Sequence, residues 1–303
     1  MKLITKIILA VLLVGNTLAI QSCANNSDED VRTVAEENAQ QVQNAIKSER
    51  VRKILYSVPS HVEMIRLVKG ANIEFDRNIM NEPNLVANYN SVNSQAFNLG
   101  VYGTDLAYIS IFEQTQEVLN YFSAIKTLAD DLGVSNVIND KNIQRFERSI
   151  EDQDSLIVFI SEIFYSIDET LNESDRGYVS AEVVTGGWIE AMHIMSQNSL
   201  KMEGANKEGL KKIISDQRHS LDNINELVRI YNNDGKLERL LKDLEELDAL
   251  FDKLDIKKET TTVTKDEETG KVVIGGHDDI EFSDDLLIEI ASQINSIRIQ
   301  YVN

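Results

Sequence analysis

The sequence predicts an all-α fold: a multi-helix bundle around a buried central helix, with one small β-hairpin near the C-terminus. Three observations predict it. The 303 residues hold only two prolines, so long helices escape the lost donor and the steric clash that proline imposes. The chain is rich in Leu, Ala, Glu and Lys, which lose little freedom in a helix. The stretch from Ala96 to Phe122 is apolar or small on nearly every side. Wound as a helix, it places Leu99, Tyr102, Leu106 and Ile109 on one face. Val101, Tyr108, Phe112, Thr115, Leu119 and Phe122 fall on the opposite face. A helix that is apolar all round belongs inside a bundle.

The elements follow in order. Asp28 to Ser57 has no Gly or Pro and carries a weak apolar stripe at Val31, Val34, Val42, Ile46 and Leu55, which predicts a helix. Pro59 breaks it, and Ser60 to Lys69 reads as a short helix closed by Gly70. Ala71 to Pro83 is irregular. Asn84 to Asn98 restarts the helical pattern and runs into the central post. The post is expected to continue to Asp131, with bending points at Gly100 and Gly103, until Gly133 stops it.

Asn139 or Asp140 caps the next helix, which carries Ile143, Phe146, Ile150, Leu156, Phe159, Ile163 and Ile167. Its half from Leu156 to Ile167 is apolar on most sides and reads as a second buried element. Asn172 to Gly177 is a turn. Ser180 to Lys201 is a third core helix, striped by Val184, Trp188, Ala191, Met192, Met195 and Met202. Gly187 and Ala191 there echo Gly103 and Ala107 on the post, a faint sign of a duplicated helical unit. Asn206 to Asn232 and Lys236 to Leu254 are amphipathic helices separated by a turn at Asn232–Gly235. For the second of these, packing on the core is favoured over a coiled coil with a partner, since its register lasts under three heptads. The β-branched runs of Thr260 to Gly276 flank an acidic turn and read as an exposed β-hairpin. Ser283 caps a last helix ending at Val302.

Composition narrows the function. Hydrophobic residues make up 42% of the chain, enough for a substantial core, and the net charge is -20. Such a surface repels phosphate backbones, which excludes nucleic acid as a partner. The single cysteine, Cys23, rules out an intramolecular disulfide and a cysteine-based metal cluster.

The amino terminus reads as an address. Lys2 and Lys6 precede the apolar run Ile7–Val14, which is too short to span a bilayer. The cleavage region is Leu18-Ala19-Ile20-Gln21-Ser22-Cys23. Ile20 and Ser22 suit a small-residue pattern ahead of the cysteine, and Gln21 departs from its commonest form. This stretch resembles a bacterial lipoprotein signal, and the resemblance implies a lipid on Cys23. The competing reading is a soluble exported protein with Cys23 left free. Ala24 after the cysteine implies the outer membrane. The acidic cluster Ser27-Asp28-Glu29-Asp30 resembles the export signal of Bacteroidota-type surface lipoproteins, which places the outer face of the cell ahead of the periplasmic side. The domain reading is therefore a signal peptide over residues 1–22, an acidic tether over 23–30 and one helical domain over 31–303.

The chemistry offered by the sequence is sparse. Glu190-x-x-His193 has the spacing of a di-iron bundle, with Asp216 and His219 as a second, imperfect version and Glu113 and Glu162 as further acids. Both pairs are expected to point away from the apolar stripes of their helices, so no metal and no cofactor are expected. Asp105 and Glu162 each fall inside an apolar segment and are expected to be buried. Buried carboxylates need a hydrogen bond, a cation or a proton. A structural hydrogen bond is the plainer explanation; a ligand pocket lined by Asp105, Tyr108, Glu162, Tyr165 and Trp188 is the other. His61 reads as a surface residue, and His277 as a loop residue beside Asp278 and Asp279. Asn232–Gly235 is only a fragment of a calcium loop. No catalytic motif is present. The expected function is a non-enzymatic binding or scaffold module held at the outer membrane by a lipid, with an unknown protein or small molecule as ligand. The other reading is a helical-bundle enzyme that depends on a metal.

Overall fold

The structure is a computed structural model that describes residues 28–257, 262–265, 272–275 and 279–303. The chain divides into two compact units, Met1–Arg50 and Val51–Asn303. In the first, the described residues belong to helix α1 (Asp28–Ser57), where Val42 and Ile46 are exposed. The second unit is all-helical apart from two short ladders.

It runs through α2 (His61–Gly70), two 3-10 turns (Arg77–Ile79 and Pro83–Asn88), α3 (Val92–Ile111), α4 (Val118–Asp131) and α5 (Asp140–Ser149). Then come α6 (Gln153–Glu173), α7 (Gly177–Lys201), α8 (Gly204–Asp216), α9 (Arg218–Tyr231) and α10 (Glu238–Phe251). Strands β1 (Asp255–Lys257), β2 (Thr262–Lys265), β3 (Val272–Gly275) and β4 (Asp279–Glu281) precede α11 (Asp284–Val302). β1 pairs antiparallel with β4, Ile256 opposite Ile280, and β2 pairs antiparallel with β3, Val263 opposite Ile274. The residues joining β2 to β3 lie outside the described ones.

Side-chain caps start several helices. Ser60 Oγ accepts from the Glu63 N–H, while Glu63 accepts from the Ser60 N–H at 2.8 Å. Ser91, Asn139, Asp152 and Ser283 cap α3, α5, α6 and α11. Each satisfies an amide that the helix itself leaves without a partner.

Every residue of α3 from Ala96 to Ile111 is buried, and α7 is buried along nearly its whole length. The centre is therefore a pair of helices rather than one post, and their contact is the most extensive among the described elements. Two glycines permit it. A Cβ on Gly100 would sit 2.0 Å from the Val183 carbonyl oxygen, and one on Gly186 would sit 2.1 Å from that of Phe97. The backbones touch, and the Thr104 hydroxyl donates to the Gly187 carbonyl at 2.9 Å. The outer helices wrap this pair: α2, α4, α6 and α11 lie against α3, and α2, α6, α8, α9 and α11 against α7. α10 buries Leu240, Leu244, Leu247 and Phe251 between α9 and α11, so it packs on the core.

Three expected helices are divided. The post stops at Ile111 instead of reaching Asp131. Glu113 takes a left-handed conformation (φ 60°), the Gln114 N–H bonds the Ile109 carbonyl, and the Glu113 N–H bonds that of Ser110. That closure ends a helix just as a glycine would. Thr115 and Leu119, expected on a buried face, are exposed as a result. The helix expected from Asn139 to Ile167 breaks at residues 150–152, where Asp152 caps α6. The one expected from Asn206 to Asn232 breaks at Gln217, which ends α8 and begins α9. The restart expected at Asn84 is a 3-10 turn, and α3 begins only at Val92. α3 stays α-helical through Gly100 and Gly103.

The glycine contacts give a direct test by urea unfolding. G100A and G186A are each expected to lose about 1–3 kcal/mol or more, because the added methyl has only backbone to push against. G209A, on open α8 surface, is expected to gain about 0.5–1 kcal/mol from reduced chain entropy.

Candidate functional site: a buried polar cluster

Glu190 and His193 lie one turn apart on α7, and both face inward: Glu190 is fully buried and His193 nearly so. This corrects the expectation that they point to solvent. The stripe of Trp188, Met192 and Met195 was read as the only apolar face, but α7 is packed all round and has no solvent face to offer.

Arg298 of α11 closes on Glu190 with both ends of its fork. Nη2 donates to Oε1 at 2.8 Å, and Nε donates to Oε2. The guanidinium also reaches the Ile79 carbonyl at 3.5 Å, which His193 bonds as well. From α3, Asp105 enters the same cluster. Its Oδ2 accepts the Asn81 N–H at 3.0 Å. Its Oδ1 is buried without a donor among the described residues. Burial, and then the neighbouring Glu190, hold the Asp105 carboxyl well above the usual carboxylate range, against the pull of Arg298.

Amide and phenol side chains extend the cluster to the end of the chain. The Asn81 side-chain amide donates to the Tyr89 hydroxyl at 2.9 Å and to Asn98 Oδ1 at 3.2 Å. Asn98 donates to the Tyr301 carbonyl at 2.6 Å, and Tyr89 donates to that of Val302 at 3.2 Å. These are last-turn carbonyls of α11, which have no donor within their own helix. Burial pushes His193 down to about 4, and its Nδ1 has no partner among the described residues.

The five residues expected to line a pocket are not brought together. Asp105 lies in the cluster. Tyr108 is buried against Phe75 at a ring distance of 5.0 Å, and its hydroxyl accepts the Asp76 N–H at 3.0 Å. Trp188 is buried with its indole N–H unpartnered among the described residues. Glu162 and Tyr165 are exposed, the first ion-paired to Arg145 and the second beside Tyr56. The expectation that Glu162 is buried was wrong. Val158, Glu162, Tyr165 and Glu169 recur at helical spacing and form the wet face of α6. Leu156, Phe159, Ile160, Ile163 and Ile167 form its dry face.

His61 is a second correction. It is half-buried, with its Nε2 enclosed, rather than a surface residue. Its ring lies against Gly187, where a Cβ would come within 2.0 Å of Nε2, and 4.6 Å from the Phe164 ring. Burial lowers it to about 4. Asp216 and His219 are exposed, as their spacing implied, and Glu113 lies on the surface near Lys69. Asn232 and Asp234 bond the amides of Leu237 and Lys236, so this turn supports the start of α10. Cys23 and His277 fall outside the described residues. Among the described residues no group of three or more His, Cys, Asp or Glu side chains is placed to hold a metal.

Sequence reasoning missed Glu182, Arg298, Asn81, Asn98 and Tyr89. Glu182 is fully buried in α7 with both carboxylate oxygens unpartnered among the described residues, and burial raises it to about 8. Its position between Ala181 and Val183 was the available signal. No family model, curated protein or solved structure matches the chain.

Breaking the buried pair separates it from its surface counterpart. R298M is expected to lose about 3–5 kcal/mol in denaturant unfolding, since it strands Glu190 without a cation. E162Q is expected to stay within about 0.5 kcal/mol of the parent.

Proposed function

We propose that the protein is a lipid-anchored envelope protein whose helical bundle serves as a non-enzymatic binding or scaffold module. One observation carries the non-enzymatic half. The acids that a bundle enzyme would need are already engaged by the chain, Glu190 by Arg298 and Glu162 by Arg145. His193, the one imidazole beside Glu190, is buried with it and bonded to Ile79. Nothing in that arrangement presents a nucleophile or an open metal position.

The anchor is read from the first 30 residues. The basic start, the short apolar core and Cys23 support a lipoprotein signal. Ala24 and the acidic cluster that follows support the outer membrane and its outer face. No helix among the described residues is long and apolar enough to cross a membrane, so the reading assigns attachment to acyl chains on Cys23. Each methylene buried in the bilayer contributes about 0.8 kcal/mol. Surfaces open to a protein or small-molecule partner include the outer face of α6, where Val158 and Tyr165 are exposed beside Tyr56. The net charge of -20 keeps nucleic acid off the list.

Metabolic labelling with an alkyne analogue of palmitate tests the anchor. The parent is expected to take the label and fractionate with the outer membrane, and C23S is expected to lose both properties. An unlabelled parent would remove the anchor. Stoichiometric iron, manganese or zinc in the purified protein would remove the non-enzymatic half.

A further inference from the structure

We propose that Asp105 and Glu190 hold a single proton between them, and that this acid pair, together with Arg298, is a latch that keeps α11 in the bundle only while the proton remains. The inference is independent of the membrane anchor and of any ligand.

The argument begins with what each oxygen can do. An ionised carboxylate only accepts hydrogen bonds. Glu190 has donors for both oxygens, supplied by Arg298. Asp105 Oδ2 has the Asn81 amide, but Oδ1 has no donor among the described residues, and the Asp105 carboxyl interacts with that of Glu190. A buried acceptor left bare is costly, and two adjacent carboxylates repel. A proton on Asp105 removes both problems, because Oδ1 becomes the donor and Glu190 the acceptor.

The surrounding groups leave no other source of compensation. α3 contributes Tyr102 and Tyr108, α4 contributes Tyr121, and the segment before α3 contributes Tyr89. Burial raises all four phenols, so they stay neutral. α7 contributes His193, lowered to about 4 and therefore neutral near pH 7. Among the described residues Arg298 is the one cation in contact. Lys201 and Arg77 lie further out and hold Asp76, Glu82 and Glu117 in ion pairs. One guanidinium balances one carboxylate, and the second acid must be neutral.

The consequence falls on α11. Asn81 holds Asp105 through its backbone amide, and through its side chain it holds Tyr89 and Asn98, which cap Val302 and Tyr301. Arg298 is on the same helix. Loss of the proton therefore weakens the ion pair and the cap together. The sign follows from linkage. The folded state keeps a proton that the unfolded chain releases near the ordinary Asp value, so stability falls as pH rises from there through the folded value. One proton changes the folding constant by up to about tenfold per pH unit. Glu182, raised to about 8 by burial, adds a slope of the same sign, so the test must separate the two.

The experiment is urea unfolding of the full chain at a series of pH values, with infrared detection of protonated carboxyl groups. In D105N the amide takes over the donor role toward Glu190. Its folding constant is expected to fall less steeply with pH than the parent's, by one proton's worth. E190Q is expected to lose the same slope, because Asp105 is then the only carboxylate beside Arg298. The D105N/E190Q double variant, with Arg298 unpaired, is expected to be the least stable of the set. The parent is expected to show, near neutral pH, a protonated-carboxyl band that persists in E182Q and vanishes in D105N. If D105N does not fold, E190Q and the band decide the matter. Equal slopes in parent, D105N and E190Q, or no such band in E182Q, would overturn the proposal.

Discussion

The structure depends on the contact between the backbones of α3 and α7. Gly100 and Gly186 bring the two helices so close that a single methyl would collide with a carbonyl on the other side. Both helices are thereby removed from water along most of their length, and every other element is arranged around that fact. The same pair takes a ring from each side: Phe164 sits on Gly103, and His61 sits on Gly187, with the two rings in contact. The faint repeat of glycine and alanine in the two helices marks the places where outer rings dock. The crossing itself is made by glycines that the repeat does not include.

Burial of that kind sets terms for the polar residues. A helix with a wet face can discard its acids there, as α6 does with Glu162 and Glu169. α3 and α7 cannot. Asp105, Glu190 and His193 are enclosed, and each has to find its partner within the protein. The partners come from distant parts of the chain: Asn81 and Tyr89 from the 3-10 region, and Arg298 from the last helix. A polar cluster of this sort ties the C-terminal helix to the centre by directed bonds, which apolar contacts such as the stacked Phe97 and Tyr301 cannot do alone. Direction matters at a helix end, where free carbonyls need donors at fixed positions.

How much of this was legible follows from where the signals lie. The helical class, the buried run around Tyr102 to Ile109, and the caps at Asn139 and Ser283 are local patterns, and local patterns survive in sequence. The helix ends at Glu113, Asp152 and Gln217 carry no Gly or Pro at the break, so nothing announced them. Gly133 supplies the same left-handed closure after α4 that Glu113 supplies after α3, and only the glycine was readable. The inward orientation of Glu190 and the enclosure of the His61 ring nitrogen were misread for one reason. Helical periodicity locates the more apolar face of a segment, but it cannot report that the other face is covered as well. Arg298 was invisible for a different reason, since its partner lies on another helix and no spacing rule connects them. Asp105 was found because an acid within an uninterrupted apolar run is anomalous on sequence grounds alone. Glu162 failed the same test because its run, once wound as α6, has a wet side.

A chain with net charge -20 keeps its interior close to neutral. Among the described residues the buried imidazole of His193 is unprotonated, the buried phenols keep their protons, and the one buried guanidinium, that of Arg298, is matched by one carboxylate. Charge is sorted almost completely to the outside, where pairs such as Arg145 with Glu162 and Lys201 with Asp76 form among a large excess of acids. Catalysis usually requires the reverse, a reactive charge held where a substrate can reach it. In this protein two carboxyl groups that burial raises, Asp105 and Glu182, are enclosed by packed helices. They respond to protons, but their burial keeps them from direct contact with anything larger. That division supports a role exercised through the surface, with the core acting to hold the surface in one shape.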